Sequence, residues 1–454
     1  MRNSQDEKLG TEKISKLIIS LAIPSILAQL INVLYNIVDR IYIGHIPAIG
    51  DIALTGVGVT FPIIMTISAF SALAGFGGAP LASINLGAGK RTEAEKILGN
   101  ATSMLLIFSA VLTILFLVFK TPLLYLFGAS DNTILYAEKY ISIYLCGTIF
   151  VQLSLGLNTF ISAQGAAKTA MLSVIIGAVA NIILDPIFIF IFNLGVQGAA
   201  IATIISQCIS AIWVVHFLVS SKSTSSMKIR KKNLALNKKI ALSILALGIS
   251  PFIMQVTESL INIVLNSGLQ KYGGDIYVGS MTIMMSVMQL LVVPAHGLTQ
   301  GVQPIISFNF GAGKPERVIK TFKTSLIASV TTTTLGCLCI MLFPKVFVGM
   351  FTQKEELVNL TSQMIRIYIA GMWAFGLQTA CQSSFMGLGQ AKISLFLALL
   401  RKVILLIPLA LILPIHYGVT GIYFSEPIAD ITASFTTLTV FLLSYKKIIY
   451  KRVC

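Results

Sequence analysis

The sequence predicts an all-α polytopic membrane protein with twelve transmembrane helices in two six-helix lobes, and three observations support this fold class. The chain of 454 residues is 56% hydrophobic and only 11% charged, whereas about 25% of an ordinary soluble domain is charged. Apolar runs of about 20 residues recur along the whole length, each long enough to cross a bilayer. The same motifs also occur twice, in the same order.

Hydropathy divides the chain into twelve predicted spans. They are residues 17–44, 52–85, 97–119, 134–162, 168–194, 197–220, 239–269, 276–309, 320–343, 358–386, 392–415 and 418–445. Cytoplasmic loops carry an excess of Lys and Arg. By this parse 19 of the 33 basic residues lie in loops and termini on the same side of the membrane as the N-terminus, and four lie in loops on the other side. Both termini are therefore predicted to be cytoplasmic. The net charge of +16 is explained by topology, so we expect no nucleic-acid partner.

The repeat defines the domain organisation. "GAGK" begins at Gly87 and again at Gly311, and "PSILAQLINVLYNIVD" from Pro24 is matched by "PFIMQVTESLINIVLN" from Pro251. Six spans per copy make both copies cross in the same direction, which predicts a pseudo-twofold axis along the membrane normal. The predicted segments are a cytoplasmic N-terminal segment 1–16, an N-lobe 17–220, a basic linker 221–238, a C-lobe 239–445 and a cytoplasmic tail 446–454.

The doubled "GAGK" is not a phosphate-binding loop. Such a loop needs a Gly five residues before the Gly-Lys pair and a Ser or Thr after it. Ile84 and Phe308 stand at the first position, and Arg91 and Pro315 at the second. We interpret the motif as a helix end, where Gly takes the left-handed conformation and Lys suits the helix dipole. Each copy is expected to continue as a short charged surface helix, "KRTEAEKIL" or "KPERVIKTF".

Other site types find little support. The six Cys and four His are scattered without metal-ligand spacing or a C-x-x-C pair, so we expect no structural metal and no disulfide framework. The first 16 residues are charged and polar, which predicts no signal peptide. Neither a D-D-x-x-D carboxylate cluster nor a Ser/His/Asp set is present, so we do not expect an enzyme.

Ionisable residues inside spans mark candidate sites, because each costs about 2.5–3.5 kcal/mol at mid-bilayer. Asp39, Asp185 and Thr203 fall in the outer half of the membrane at a rise of about 1.5 Å per residue. Asn181 lies one turn before Asp185. Two carboxylates, an amide and a hydroxyl predict a site for Na⁺ or a proton. The alternative is that Asp39 pairs with Arg40, although adjacent residues point about 100° apart on a helix.

The second copy lacks this arrangement, because Asn266 stands in the place of Asp39. Glu426 and Asp430 lie one turn apart on the last span, with Arg401 at similar depth. These three residues predict a structural ion-pair network. Glu258 has no obvious partner and is assigned to the central cavity.

One helical face of the eighth predicted span is rich in methionine. Its members are Met281, Met284, Met285 and Met288. Methionine is flexible and polarizable, which suits a surface that accepts many apolar ligands. Plain packing or lipid contact explains the same spacing equally well.

The chain resembles the multidrug and toxic compound extrusion (MATE) family, in particular its bacterial multidrug-efflux branch. The resemblance covers residues 15–445 and rests on "LYNIVDRIYIGHI", "NIILDPIFIF", "GVQGAAIAT", the doubled "GAGK" and "GIYFSEPIAD". It implies two six-helix lobes around a central cavity and antiport of drugs against Na⁺ or H⁺. The first-lobe cation site of the family matches Asp39, Asn181, Asp185 and Thr203.

The resemblance also implies a substrate cavity. Tyr35, Tyr140 and Asn158 match polar positions of the first lobe, and Asn32, Glu258 and the four methionines complete the predicted cavity. Some relatives use an acidic pair in the second lobe. Glu258 could match one member, but the tenth span has no carboxylate for the other.

The expected activity is export of cationic or amphipathic organic compounds by alternating access, coupled to Na⁺ or H⁺ and without another cofactor. We expect a monomer in the bacterial inner membrane, in contact with membrane lipid. The alternative is a flippase for lipid-linked precursors of the same broad superfamily. That activity would require cationic residues lining the cavity.

Overall fold

The computed structural model describes residues 5–47, 49–221 and 223–450, and within these ranges it contains helices and no strand. The helices of the first half are α1 Gln5–Thr11, α2 Ile14–Gly44, α3 Gly50–Val59, α4 Phe61–Gly87, α5 Arg91–Leu126, α6 Ile134–Cys146, α7 Thr148–Ala163, α8 Ala167–Pro186 and α9 Val196–Val219. Those of the second half are α10 Lys238–Gly273, α11 Asp275–Gly311, α12 Pro315–Leu342, α13 Pro344–Gly349, α14 Glu355–Tyr368, α15 Met372–Gly387, α16 Ala391–Leu399, α17 Ile407–Tyr417 and α18 Val419–Tyr450.

Each predicted span corresponds to a helix or to consecutive helices. In the described ranges, ten helices are long and apolar enough to cross a membrane, and α6 with α7, bent by 59°, make an eleventh if counted as one span. The predicted span 52–85 is divided into α3 and α4, and 358–386 into α14 and α15. The all-α polytopic fold class is therefore confirmed.

The chain forms two compact units whose boundaries differ from the predicted lobes. The first consists of Met1–Thr11 and Leu27–Phe252, and the second of Glu12–Ile26 and Ile253–Cys454. The first half of α2 therefore belongs to the second unit, and the first half of α10 to the first unit. The linker predicted at 221–238 is also part of the first unit.

Glycine explains why these half-helices pack where they do. A Cβ on Gly301 of α11 would collide with the backbone of Ala22 in α2, and a Cβ on Gly77 of α4 would collide with the backbone of Ile244 in α10. Only glycine allows two helices to approach so closely. Hydropathy cannot predict that the first half of α2 belongs to the second unit and the first half of α10 to the first unit, because it carries no information on which helix surfaces are in contact.

The two "GAGK" motifs end helices, as predicted. Gly89 has φ +72° after α4, and Gly313 has φ +65° after α11. The amide of Lys90 donates to the carbonyl of Asn85 at 2.8 Å, and the amide of Lys314 donates to that of Asn309 at 3.0 Å. These bonds satisfy carbonyls at the helix end.

The expected surface helices are not separate elements. The charged residues that follow each "GAGK" form the first turns of α5 and α12, which run for 36 and 28 residues. Glu93 and Glu316 lie in these first turns, where a carboxylate suits the positive end of the helix dipole. Each helix then continues directly into its apolar span.

Candidate functional site

Two carboxylates of the first unit come together across α2 and α8. The carboxyl groups of Asp39 and Asp185 lie within hydrogen-bonding reach of each other. The side-chain amide of Asn181 donates to Oδ1 of Asp185 at 3.1 Å. Asp185 is fully buried, with 0% exposure, and Asn181 is buried as well. We call these three residues the acidic cluster.

The end of α8 explains how the cluster is positioned. Pro186 has no N–H to donate back to the carbonyl of Ile182, and the helix widens at once into the π-helical segment Ile187–Ile191. Such segments are rare and frequently mark functional sites. A Cβ on Gly198 of α9 would collide with the backbone of Phe188 in this segment, so the glycine lets α9 pack directly behind it.

Three oxygen atoms of the acidic cluster are unsatisfied. Oδ1 of Asp39, Oδ1 of Asn181 and Oδ2 of Asp185 are buried and accept no hydrogen bond from any described residue. A buried acceptor without a partner costs about 1–3 kcal/mol. Three such oxygens at one place fit a hard cation, which would bind all three as ligands, or a proton shared between two of them.

Two tyrosines predicted for the cavity lie beside the acidic cluster. Tyr140 of α6 is buried and interacts electrostatically with Asp39, and its side chain is hydrogen-bonded to Thr203. Thr203 also donates to the carbonyl of Ala199 at 2.9 Å. Tyr35, one turn before Asp39, interacts electrostatically with it. Thr203 therefore joins the cluster through Tyr140.

Sequence reasoning missed a third tyrosine at this site. Tyr144 is buried and stacks on Tyr140 with a ring-centroid distance of 6.2 Å. It also interacts electrostatically with Tyr35. The spacing of four residues between Tyr140 and Tyr144 places both on one helix face, and this signal could have revealed it.

Other predicted residues of the first unit have different neighbours. Asn158 of α7 accepts a hydrogen bond from Ser173 at 3.1 Å and donates to the carbonyl of Ala170 at 3.2 Å, so it joins α7 to α8. Asn32 is partly buried. The guanidinium of Arg40 lies 5.6 Å from the ring centre of Phe61. Asp39 and Arg40 are adjacent on the helix and point about 100° apart, which is why Arg40 contacts a different neighbour.

The second unit contains the predicted ion pairs. Nε of Arg401 donates to Asp430 at 2.6 Å, and Nη2 donates to Glu426 at 2.8 Å. All three residues are buried. The π-helical segment Leu400–Leu406 carries Arg401.

The prediction that Glu258 has no partner is wrong. Lys402 forms an ion pair with Glu258 and donates to the carbonyl of Met254 at 2.7 Å. Lys402 follows Arg401 directly, and neighbouring helical residues point about 100° apart. It can therefore reach α10 while Arg401 reaches α18. The side chain of Lys402 is 7% exposed and that of Glu258 is 57% exposed.

The methionine face lies in the core of the second unit. Met281, Met284 and Met288 are buried among other core side chains. Met285 packs against this core, and its sulfur lies 3.9 Å from the hydroxyl of Tyr368. The structure thus favours packing over the predicted role in a substrate cavity.

The repeated helical units and the buried acidic cluster define a membrane transporter built from two copies of one unit. The MatE family model matches residues 24–187 and, a second time, residues 251–412. The chain therefore belongs to the MatE family. The double match confirms the internal repeat, and the family confirms the predicted resemblance.

Known proteins of this kind match the chain along nearly its full length. The multidrug export protein MepA of Staphylococcus haemolyticus (strain JCSC1435) is 25% identical over 441 residues, which is 97% of this chain and 96% of that protein. MepA of Staphylococcus aureus (strain NCTC 8325 / PS 47) is 26% identical over 449 residues, covering 98% and 97%.

Solved structures show the same fold. A crystal structure of MATE in the bent conformation superposes with a TM-score of 0.92, at 23% identity and 99% coverage of both chains. The outward-facing conformation of a multidrug resistance MATE family transporter of the MOP superfamily gives 0.91, also at 23% identity and 99% coverage of both chains.

Proposed function

We propose that this chain is a secondary active antiporter that exports cationic or amphipathic organic compounds and is driven by entry of H⁺ or Na⁺. The observation that carries the proposal is the acidic cluster, with its three unsatisfied buried oxygens. The relatives named multidrug export protein support the substrate class. The basic residues on one side support a plasma-membrane protein with both termini in the cytoplasm.

The acidic cluster has the chemistry that ion coupling requires. Two carboxylates within hydrogen-bonding reach repel each other strongly when both are ionised in a buried site. A shared proton removes that repulsion, and so does a cation between them. The amide of Asn181 holds one oxygen of Asp185 and leaves the other free for the proton or ion. For Na⁺, Thr203 would add a hydroxyl oxygen.

Ion loading at this site would change how its helices pack. The unloaded cluster favours water and an open arrangement, because two buried negative charges are costly. With one shared proton or one Na⁺ the cluster carries a single negative charge instead of two, so α2, α8 and α9 can close around it. An ion shifts this equilibrium only through its differential affinity for the two arrangements. The π-helical segment after Pro186 is the place where α8 can adjust.

The second unit argues against the flippase alternative. A flippase for lipid-linked precursors would use cationic side chains to hold pyrophosphate. Arg401 and Lys402 instead form ion pairs with carboxylates of the same unit. These bases are compensated, which favours the antiporter.

Transport in proteoliposomes tests the proposal. Purified protein is reconstituted with an ethidium-like dye, and a pH gradient and a Na⁺ gradient are imposed separately. We expect dye movement with one gradient and none in protein-free vesicles. Dye movement that depends on neither gradient, or no dye movement at all, would contradict the proposed antiport activity.

A further inference from the structure

An apolar groove runs along the surface of the first unit between α7 and α9. Its volume is about 600 Å³, and its walls include Phe150, Leu153, Ile212, Val215 and Val219. Ile212 is 62% exposed, and an exposed apolar side chain in the middle of a membrane span faces lipid. From Ile212 to Val219 the groove follows α9 for about 10 Å, at about 1.5 Å per residue.

Polar groups line only one end of the groove. His216, Ser220 and Ser221 lie there, at the C-terminal end of α9. The basic linker begins at this end, which marks it as the cytoplasmic end. The groove therefore runs from the apolar interior of the membrane to its cytoplasmic surface.

The linker folds back over the end of α9 and holds a cation at the groove. The hydroxyl of Ser223 donates to the carbonyl of Phe217 at 2.7 Å, and the amide of Ile229 donates to that of Leu218 at 2.9 Å. The ammonium of Lys228 donates to the carbonyl of Ser220, which itself lines the groove. These bonds hold Lys228 at the cytoplasmic end of the groove, which we call the mouth.

The mouth carries excess positive charge. Lys228 interacts electrostatically with Arg91, Arg230 and Glu95. Nε of Arg230 lies 2.6 Å from a carboxylate oxygen of Glu95, and Nε of Arg91 lies 3.8 Å from the other. Three cations against one carboxylate leave these four side chains with a net charge of +2. Burial lowers the pKa of Lys228, and the two arginines lower it further.

We propose that this groove binds an acyl chain of an anionic phospholipid whose phosphate lies beside Lys228. The groove supplies apolar surface for the chain, and the mouth supplies the charge that a phosphate needs. Each basic residue near a membrane surface attracts anionic lipid by about 1 kcal/mol. A zwitterionic lipid gains less, because its own cation meets the cluster. The bound lipid would join α7, α9 and the linker.

Lipid retention by the purified full chain tests this site. The protein in detergent receives phosphatidylglycerol or phosphatidylcholine with identical acyl chains, and bound lipid is counted by native mass spectrometry. We expect stronger retention of phosphatidylglycerol. Lys228→Gln should lower it about five-fold, and Lys228→Arg should retain it. The matched control is Lys232→Gln, which removes an exposed charge from the same linker and should leave retention unchanged.

A second variant and a soluble probe test the contribution of the apolar part of the groove. Val215→Trp fills the groove and leaves the charges in place, so it should reduce phosphatidylglycerol retention as well. Inorganic phosphate should not compete at millimolar concentration, because it lacks the acyl chain. Equal retention of the two lipids would overturn the proposal. So would full retention by Val215→Trp, or displacement of the lipid by inorganic phosphate.

Discussion

Corresponding helices of the two repeats each contain a π-helical segment, but the charged residues at the two segments have opposite signs. In the first repeat, the π-helical segment Ile187–Ile191 follows Asp185, which meets a second carboxylate from α2. In the second repeat, the segment Leu400–Leu406 carries Arg401 and Lys402, which meet carboxylates from α18 and α10. Among the described residues, the two carboxylates of the first site form no ion pair, although Arg40 interacts electrostatically with Asp39. In the second site each of the two bases is paired with a carboxylate.

We interpret this difference as one between a site for ion exchange and a site for stability. A buried ion pair loses several kcal/mol when one partner is removed, because the remaining charge is stranded. A carboxylate pair gains stability only when a proton or cation arrives. The two repeats therefore carry charged sites on corresponding helices but at different positions along them, and we propose that only the first-repeat site takes a ligand from outside the chain.

The largest expected effect follows from removing a carboxylate of the acidic cluster. We expect Asp185→Asn and Asp39→Asn each to reduce ion-coupled dye export to background, because a neutral amide cannot bind and release a proton or compensate a cation. Export from everted vesicles and the amount of protein in the membrane are measured together. Asp51→Asn, an exposed carboxylate of the same unit, is the control. Near-normal export by either cluster variant would contradict the coupling site.

Arg401→Ala should lower the amount of folded protein more than transport per molecule. It strands Glu426 and Asp430, at a cost of about 3–5 kcal/mol. Size-exclusion chromatography of a fluorescent fusion would show this as a smaller monodisperse peak. Arg366→Ala, which removes an exposed arginine, should change the peak little. Normal yield with no transport would instead assign Arg401 to function and break the contrast between the repeats.

Glu258→Gln should have a smaller effect than either change, since Glu258 is half-exposed and the glutamine oxygen can still accept from Lys402. A double-mutant cycle with Lys402→Met isolates the pair. We expect a coupling energy of about 1–2 kcal/mol in thermal unfolding and ion-coupled export that survives in Glu258→Gln. Full inactivation of Glu258→Gln with active Asp39→Asn would place the coupling site in the second repeat.

The sequence revealed the acidic cluster because its members can be related by simple geometry. Asn181 and Asp185 are one turn apart, and depth along a span follows from counting residues to its end. The same counting placed Arg401 near Glu426 and Asp430. It could not pair Glu258 with Lys402, which are 144 residues apart, because depth does not tell which helices are neighbours.

The methionine face and the linker show two other limits of the sequence. A core and a ligand cavity both need apolar residues at helical spacing, so periodicity alone could not assign Met284. The linker is polar and basic, which is typical of a free loop. In the structure, the hydroxyl of Ser225 donates to Gln164 at 3.0 Å and the amide of Asn237 donates to Asn100 at 2.7 Å. Such contacts depend on the packed helices and leave no pattern in the chain.

The smallest expected effect concerns the hydroxyl of Tyr140. Tyr140→Phe keeps the buried ring and its stacking on Tyr144 but removes the hydrogen bond to Thr203. One such bond contributes about 1 kcal/mol, so we expect the concentration of driving ion for half-maximal export to rise about five-fold. Maximal export should change little, since Asp39 and Asp185 remain. Tyr136→Phe, one turn earlier on α6, is the matched control. If both variants behave alike, Thr203 takes no part in ion binding and the site of the first repeat reduces to its two carboxylates and Asn181.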